Sequence, residues 1–307
     1  MFQSHPGEFA ALLTAVFWTI TALAFESASK KVGSLSTNII RLVLAFVFIG
    51  IYGLFVRGSF LPMGASTHNW IWLSLSGLVG FVLGDLFLFQ AYVVVGARVS
   101  MLIMSLTPPI TAFIGWIVMG EKLTLQNFIG MVLTLSGIIL VLFSREPQKD
   151  EDNNENGKKK VKLIYPILGV LLAFGGALGQ AGGLVLSKYG MADYDPFAAT
   201  QIRVITGVIG FAFIFLVTRS WPKLLSAVKN KKAMTRLSIG AFFGPFLGVS
   251  FSLLSVKYTT TGVASTIMSI VPILIIPPAV LFLKDKLTIR EVIGAVIAVG
   301  GVILFFM

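Results

Sequence analysis

A segment of about 60 residues occurs twice in this chain, and this repeat constrains the fold more than any other feature. Residues 84–143 align with residues 248–307 without a gap, and about 16 of the 60 aligned pairs are identical. The matches include Ile103-Met104-Ser105 with Ile267-Met268-Ser269, Pro108 with Pro272, and Lys122-Leu123-Thr124 with Lys286-Leu287-Thr288. Because a match of this length keeps its register throughout, it indicates that a whole structural unit has been duplicated.

Composition places this duplicated unit in a membrane. The chain has 307 residues, of which 56% are hydrophobic and only 12% are charged, whereas soluble domains carry about 25% charged residues. The net charge of +11 does not predict nucleic-acid binding, because the basic residues lie in short connections between apolar runs. Contact with anionic lipid headgroups explains the positions of these basic residues better. The chain has no cysteine and two histidines, so we expect no metal site and no cofactor.

Ten apolar runs are long enough to cross a bilayer, for which about 20 residues suffice. The runs are 8–27, 38–56, 70–93, 98–119, 126–144, 163–187, 197–218, 236–256, 262–283 and 289–306. Five runs per half is an odd number, so the second half must enter the membrane from the opposite side. The sequence therefore predicts an all-α integral membrane protein with ten transmembrane helices, arranged as two inverted five-helix repeats.

The repeat and the charges divide the chain into three parts. The first repeat spans 1–144, a charged linker spans 145–162, and the second repeat spans 163–307. The linker holds an acidic run followed by Lys158-Lys159-Lys160 and is too polar to bury a core. The connection 219–235 is expected to form a short surface helix.

The charges of the connections predict the orientation of the chain. The connections on one side of the ten predicted spans hold 18 Lys and Arg residues, and those on the other side hold 4. Basic connections stay in the cytoplasm, which predicts a cytoplasmic linker 145–162 with both termini outside. The first run is too long for a signal-peptide core, so we expect it to be a retained span.

The repeated segment resembles a known family. The order Gly84-Asp85, Gly96-Ala97-Arg98, Ser105-Leu106-Thr107-Pro108-Pro109, Gly120-Glu121-Lys122-Leu123-Thr124, Gly130 and Ser136-Gly137 is similar to the EamA unit of the drug/metabolite transporter superfamily. Trp18 and Arg41 fit the tryptophan and arginine near the start of that unit. In the second half Arg203 repeats the arginine, and Asp285 replaces Glu121.

This resemblance implies two five-span units around a central cavity that moves small metabolites, most often outward. Members of the family are often described with both termini inside the cell, whereas the loop charges here predict the reverse. The host membrane implied is a bacterial cytoplasmic (inner) membrane.

Four ionisable residues lie within or at the edges of the apolar runs, where a charge needs a partner or a water-filled path. Asp85 has no counterpart in the second repeat, where Val249 takes its place. It can bind a substrate amine or carry a proton; the alternative is a structural pair with Arg41 or Arg98. Arg41 and Arg203 can clamp a substrate carboxylate, or they can extend to the headgroups.

The remaining candidate residues are polar, aromatic, helix-breaking or small. Glu26 is a coupling acid or, alternatively, the partner of Lys30 four residues later or of Arg41. Trp18, Gln90, Tyr92 and Gln180 are candidates to line the cavity. Helix kinks that gate the cavity are expected at Pro108, Pro109, Pro272, Pro277 and Pro278. Close helix packing is expected at Gly80, Gly84, Gly240, Gly244 and Gly248.

These observations favour a secondary active transporter that exports small polar metabolites, such as amino acids, by alternating access. Protons are the candidate coupling ion. The alternatives are a nucleotide-sugar or lipid-carrier translocator and, in a different class, a membrane-embedded receptor or enzyme. The sequence has no phosphate-binding loop, zinc-protease motif or nucleophile elbow, which argues against an enzyme. The expected partners are a small-molecule substrate and the lipid bilayer, and both a monomer and a homodimer remain open.

Overall fold

The computed structural model describes residues 6–119, 124–146, 160–163, 165–259, 264, 267–283 and 288–306. Most of these residues are helical. In chain order the elements are α1 (Pro6–Val32), α2 (Ser34–Arg57), α3 (Thr67–Val94), α4 (Gly96–Met104), α5 (Thr107–Met119), α6 (Leu125–Leu142), β1 (Phe143–Glu146), β2 (Lys160–Leu163), α7 (Ile167–Met191), α8 (Pro196–Thr218), α9 (Trp221–Lys229), α10 (Lys231–Tyr258), α11 (Val271–Leu274), α12 (Ile276–Pro278, continued as a π-helix over Ala279–Leu283) and α13 (Ile289–Phe306).

Six helices of the described part of the chain, namely α1, α2, α3, α7, α8 and α10, are apolar and 23–28 residues long. Helices of this length cross a bilayer core of roughly 30 Å. Each coincides with a predicted apolar run to within five residues at either end. The described helices α6 and α13 likewise occupy the predicted runs 126–144 and 289–306.

Two predicted runs are not single helices. The run 98–119 is divided into α4 and α5 by a turn at Ser105 and Leu106, and the described part of 262–283 has a turn at Ser269 and Ile270. Proline follows each turn at the second position of the next helix, as Pro108 or Pro272. Proline cannot donate the backbone hydrogen bond that would continue the preceding helix, so the break falls in front of it.

Two π-helical segments interrupt α3 and α10, and the sequence analysis did not predict them. They cover Gly77–Gly84 and Phe242–Gly248, which are equivalent stretches of the two repeats. In α10 the segment contains Pro245, whose missing N–H removes a normal helical hydrogen bond. In α3 no proline is present, and the segment ends where Gly84 approaches the backbone of Gly179.

The helices α6 and α13 pack against each other in opposite directions through glycines. A Cβ atom added at Gly137 would lie 2.5 Å from the carbonyl oxygen of Gly294. A Cβ atom added at Gly301 would lie 2.7 Å from the carbonyl oxygen of Gly130. Backbones can approach this closely only where side chains are absent, which is the usual packing rule for helices in membranes.

The connection between the two halves begins and ends in a short β-ladder, which the all-α expectation did not include. Strand β1 pairs antiparallel with β2, with Phe143 opposite Leu163 and Glu146 opposite Lys160. The ladder satisfies backbone groups that lie beyond the end of α6 and before the start of α7. The rest of the predicted linker lies outside the described residues.

Aromatic side chains fill the centre of the bundle. Phe25, Phe81, Phe211 and Phe215 are fully buried and belong to one cluster contributed mainly by α1, α2, α3, α8 and α10. Large apolar side chains also cover the outer surface of the helices. Their exposure fits a surface that faces lipid, because a surface that faces water carries few contiguous apolar patches.

Candidate functional site

A cavity of about 130 Å³ lies in the centre of the bundle. It is lined by α1, α2, α3, the turn between α4 and α5, α7, α8, α10 and the residues around the start of α11. Both halves of the chain therefore contribute to it. A space of this size holds several water molecules or part of a small organic molecule.

One wall of the cavity carries a buried ion pair between Arg41 and Asp85. Nη2 of Arg41 donates a hydrogen bond to Oδ2 of Asp85, and both side chains are only 4% exposed. Nε of Arg41 donates to Oδ1 of Asn38 at 3.0 Å, while Nδ2 of Asn38 donates to the backbone oxygen of Asp85 at 3.2 Å. The guanidinium carbon also lies 4.5 Å from the centre of the Phe89 ring. Of the two pairings that the sequence left open, the structure has the one with Arg41.

Arg203 lines the same cavity, but among the described residues it forms no ion pair with hydrogen bonds; the carboxylate of Asp85 acts on it only at longer range. Arg203 is only 3% exposed, and its guanidinium carbon lies 4.6 Å from the centre of the Phe81 ring. Within the described residues, Nε of Arg203 has no hydrogen-bond acceptor. The two arginines that the sequence treats as equivalent thus have different surroundings.

Three of the polar and aromatic candidates also reach the cavity, namely Trp18 from α1, Tyr92 from α3 and Gln180 from α7. The hydroxyl of Tyr92 faces the sulfur of Met101 at 3.4 Å. Trp18 packs against Gly248, where an added Cβ atom would lie 2.9 Å from its indole nitrogen. Aromatic and amide groups of this kind supply both apolar contact and hydrogen bonds to a small ligand.

Two other candidates lie away from the cavity and are engaged elsewhere. Glu26 accepts hydrogen bonds from Nζ of Lys30 at 2.5 Å and from the backbone nitrogen of Ala97 at 3.0 Å. Gln90 accepts a hydrogen bond from the hydroxyl of Ser34 at 2.6 Å. These contacts join α1 to the start of α4 and α2 to α3, so they hold helices together at one end of the bundle.

The candidate prolines and glycines divide in the same way. Pro108, Pro272 and Gly244 line the cavity, whereas Pro109, Pro277, Pro278, Gly80, Gly84, Gly240 and Gly248 are not among its lining residues. The glycines lie where neighbouring helices come close. A Cβ atom at Gly84 would lie 3.2 Å from the backbone of Gly179, and one at Gly244 would lie 2.7 Å from the side chain of Thr21.

Sequence reasoning missed several lining residues, although the repeat contains the signal that finds most of them. Ser105, Ser269, Met104 and Met268 line the cavity and are identical pairs of the aligned repeats. Many of the other lining positions are also equivalent between the halves. These further pairs are Phe81 with Pro245, Asp85 with Val249, Leu88 with Ser252, Thr107 with Val271 and Pro108 with Pro272. Outside the aligned segment, the spacing that pairs Arg41 with Arg203 also pairs Trp18 with Gln180.

The described residues contain no group of three or more His, Asp or Glu side chains that could hold a metal ion. Among the described residues, the charged side chains that line the cavity are Arg41, Asp85 and Arg203. A carboxylate and two guanidinium groups in an apolar enclosure can bind charged parts of a small molecule and, at Asp85, exchange a proton.

A family model matches the chain twice, over residues 5–143 and 167–307, and its description is the EamA-like transporter family. This protein belongs to the EamA-like transporter family. It is accordingly an integral membrane protein with the repeat structure of that family, and its family and relatives are transporters rather than enzymes.

Relatives of this EamA-family chain are distant in sequence, and their similarity extends over more than half of it. An uncharacterized transporter of Bacillus subtilis, YyaM, is 24% identical over 297 residues, which are 94% of this chain and 90% of that protein. An uncharacterized transporter of Clostridium kluyveri is 20% identical over 95% of this chain and 90% of its own length. An uncharacterized membrane protein of Saccharomyces cerevisiae is 23% identical over 59% of this chain, which spans only 45% of that protein.

A solved crystal structure has the same fold as this EamA-family protein. The two superpose with a TM-score of 0.67 at 17% sequence identity, over 98% of this chain and 95% of the other. Similarity at this level of identity supports the arrangement of the helices and says nothing about the substrate.

Proposed function

We propose that this protein is a secondary active transporter that exports small polar metabolites, such as amino acids, by alternating access. The observation that carries the proposal is the central cavity, which is lined by equivalent positions of the two repeats. A substrate site between two repeats is what such a mechanism needs, because each half can then open the same site to one side.

We also propose that the two halves form an inverted repeat of five spans each, divided as 1–144 and 163–307. Two sets of reciprocal contacts support this. Gly84 in the first half packs on Gly179, and its equivalent Gly248 packs on Trp18, which is the equivalent of Gln180. Likewise Gly137 packs on Gly294 while their equivalents Gly301 and Gly130 pack on each other. Reciprocal contacts of this kind are expected around a two-fold pseudo-symmetry axis.

The helix breaks beside the cavity supply the proposed hinges. The turns at Ser105 and Ser269 are equivalent, and each is followed by a proline that lines the cavity, Pro108 or Pro272. Pro109, Pro277 and Pro278 are proposed to give the adjoining helices further freedom to bend. Backbone groups freed by a break are tolerated at membrane depth where they line a cavity.

Protons are the proposed coupling ion, and Asp85 the residue that exchanges them. Asp85 is the carboxylate among the described lining residues, and its pair with Arg41 can open when a proton neutralises the carboxylate. The asymmetry of this carboxylate between the repeats is consistent with a role in coupling rather than in the scaffold alone.

The proposed orientation has both termini outside and the linker 145–162 in the cytoplasm of a bacterial cell. Contacts at the two ends of the bundle support it. At one end Glu26 pairs with Lys30, Arg98 pairs with Glu291 at 3.4 Å, and Arg236 donates to the hydroxyl of Ser27. At the other end Nζ of Lys257 donates to the backbone oxygen of Asp193 at 2.9 Å. Lys30, Arg98 and Arg236 thus lie at one end of the bundle, which supports the orientation expected from the positive-inside rule.

Counterflow in proteoliposomes tests the proposed transport. Vesicles preloaded with an unlabelled candidate should transiently accumulate the labelled compound without any ion gradient, because alternating access exchanges substrate across the membrane. The panel should hold amino acids, nucleotide sugars and lipid-carrier phosphates, so that the alternative translocator is tested together with the leading proposal. A panel with no saturable uptake stimulated from the opposite side would contradict both.

Light scattering of the purified protein decides between monomer and homodimer.

A further inference from the structure

We propose that the cavity selects organic molecules that carry a carboxylate, and that Arg203 is the residue that binds it. That the bound molecule is also the transported substrate rests on the proposed function. The binding statement rests on the surroundings of the two arginines and is independent of transport.

Arg41 is already satisfied by groups of the protein. Its side chain donates hydrogen bonds to the carboxylate of Asp85 and to the amide oxygen of Asn38. A substrate carboxylate at Arg41 would have to displace Asp85, which is buried and would then lack a partner. Separating a buried pair in this way is strongly unfavourable.

Arg203 has lost both of these partners through substitution in the second repeat. Val249 stands at the position equivalent to Asp85, and Thr200 stands three residues before Arg203 as Asn38 stands before Arg41. The hydroxyl of Thr200 donates instead to the backbone oxygen of Pro196 at 2.8 Å. What remains at Arg203 in the described residues is the Phe81 ring, an Nε atom with no acceptor, and the electrostatic influence of Asp85, whose hydrogen bond goes to Arg41.

A buried guanidinium group in a membrane protein needs a partner or a path filled with water. Arg203 is 3% exposed, so it does not extend to the headgroup region. The described side chains that line the cavity hold two guanidinium groups against one carboxylate. An anionic ligand would remove this imbalance, and a guanidinium group matches a carboxylate with two parallel hydrogen bonds.

The other lining residues indicate what the rest of the ligand is like. Phe81, Phe89, Leu184, Met104 and Met268 surround the charged groups. An apolar wall of this kind favours a carboxylic acid that bears an apolar or aromatic group, since burial of that group stabilises the complex. Inorganic anions and highly hydroxylated sugars are correspondingly disfavoured.

Matched acids and amides test the proposal on the full-length protein in lipid nanodiscs. The probes are phenylacetate with phenylacetamide and L-leucine with L-leucinamide, and equilibrium binding of each is measured by isothermal titration. The variants are Arg203→Gln, Arg203→Lys, Val249→Asp and Val249→Asn. Lys223→Gln on the exposed face of α9 is the control, because it removes a positive charge outside the cavity. The melting temperature of every variant is measured first.

The wild type and Lys223→Gln should bind an acid more tightly than its amide. Arg203→Gln should weaken binding of the acid by about 10- to 100-fold, the usual value of hydrogen bonds to a charged group, and should leave the amide unchanged. Arg203→Lys should retain part of the preference. Val249→Asp should weaken the acid more than Val249→Asn, because the new carboxylate gives Arg203 the internal partner that Arg41 has.

Three outcomes would overturn the proposal: equal binding of acid and amide, no binding of either acid, or wild-type affinity for the acid in both Arg203→Gln and Val249→Asp. Flux of the same probes in proteoliposomes distinguishes binding of the carboxylate from its transport. An acid that binds through Arg203 but is not carried upholds the carboxylate site and contradicts the transport proposal. Amides carried as fast as acids contradict the carboxylate site and leave the transport proposal intact.

Discussion

Arg41 and Asp85 form an ion pair between α2 and α3 in the interior of the bundle, and the second half of the protein has only the arginine. The two partners are 44 residues apart, and both side chains are 4% exposed. The equivalent arginine, Arg203, faces the same cavity with Val249 at the position of the carboxylate. One repeat therefore neutralises its own charge, and the other leaves it available.

The first prediction concerns the energy of this pair. Asp85→Leu or Arg41→Met alone should lower the stability of the protein by about 3–5 kcal/mol, because each leaves one buried charge without its partner. The double variant should recover most of this loss, since two apolar side chains replace the whole pair. Melting temperatures of the purified variants in nanodiscs measure the effect. Additive losses in the double variant would mean that the two side chains are not coupled.

The second prediction separates coupling from pairing at Asp85. In Asp85→Asn the amide oxygen still accepts a hydrogen bond from Arg41, so the fold should be retained. Flux driven by a pH gradient should be lost, because an amide cannot release a proton, while exchange of substrate should continue. Both fluxes are compared on variant protein of measured stability. Equal loss of both would assign Asp85 a structural role, and undiminished driven flux would exclude coupling through it.

The third prediction concerns orientation in the membrane. A reporter that is active only in the cytoplasm should be silent when it is fused after Met307 and active when it is inserted into the linker 145–162. The reason is the excess of basic residues in the connections on the side of the linker. The reversed pattern would overturn the proposed orientation and would leave the repeat unaffected.

The fourth prediction uses two adjacent glycines in α13. An added Cβ atom at Gly301 would lie 2.7 Å from the carbonyl oxygen of Gly130, whereas one at Gly300 would meet no atom within 4 Å. Gly301→Ala should therefore force α6 and α13 apart and lower the melting temperature. Gly300→Ala should be neutral or slightly stabilising, because alanine favours a helix more than glycine. Similar melting temperatures for the two variants would contradict the packing described for these helices.

Much of the fold is readable from local patterns. Apolar runs of about 20 residues predict helices because a backbone in lipid must satisfy its own hydrogen bonds. The positions of Pro108 and Pro272 likewise indicate where helices break, since proline acts on its own neighbours. The π-helical segment of α3 has no such local cause. Its last residue, Gly84, packs against the backbone of Gly179 in α7. A contact between residues so far apart in the chain is visible only in the tertiary structure.

The charged residues of the candidate site were predictable from the sequence, whereas their pairings were not. The sequence by itself placed Asp85, Arg41 and Arg203 within or at the edges of apolar runs, and it determined that Val249 replaces the carboxylate in the second repeat. Only the tertiary structure decided that Asp85 joins Arg41 and that Glu26 is held by Lys30 and Ala97. It also decided that no described residue offers an acceptor to the Nε atom of Arg203. The physical reason is that a contact between helices depends on the rotation and the depth of both. These are set by packing along their whole length, which no local pattern contains.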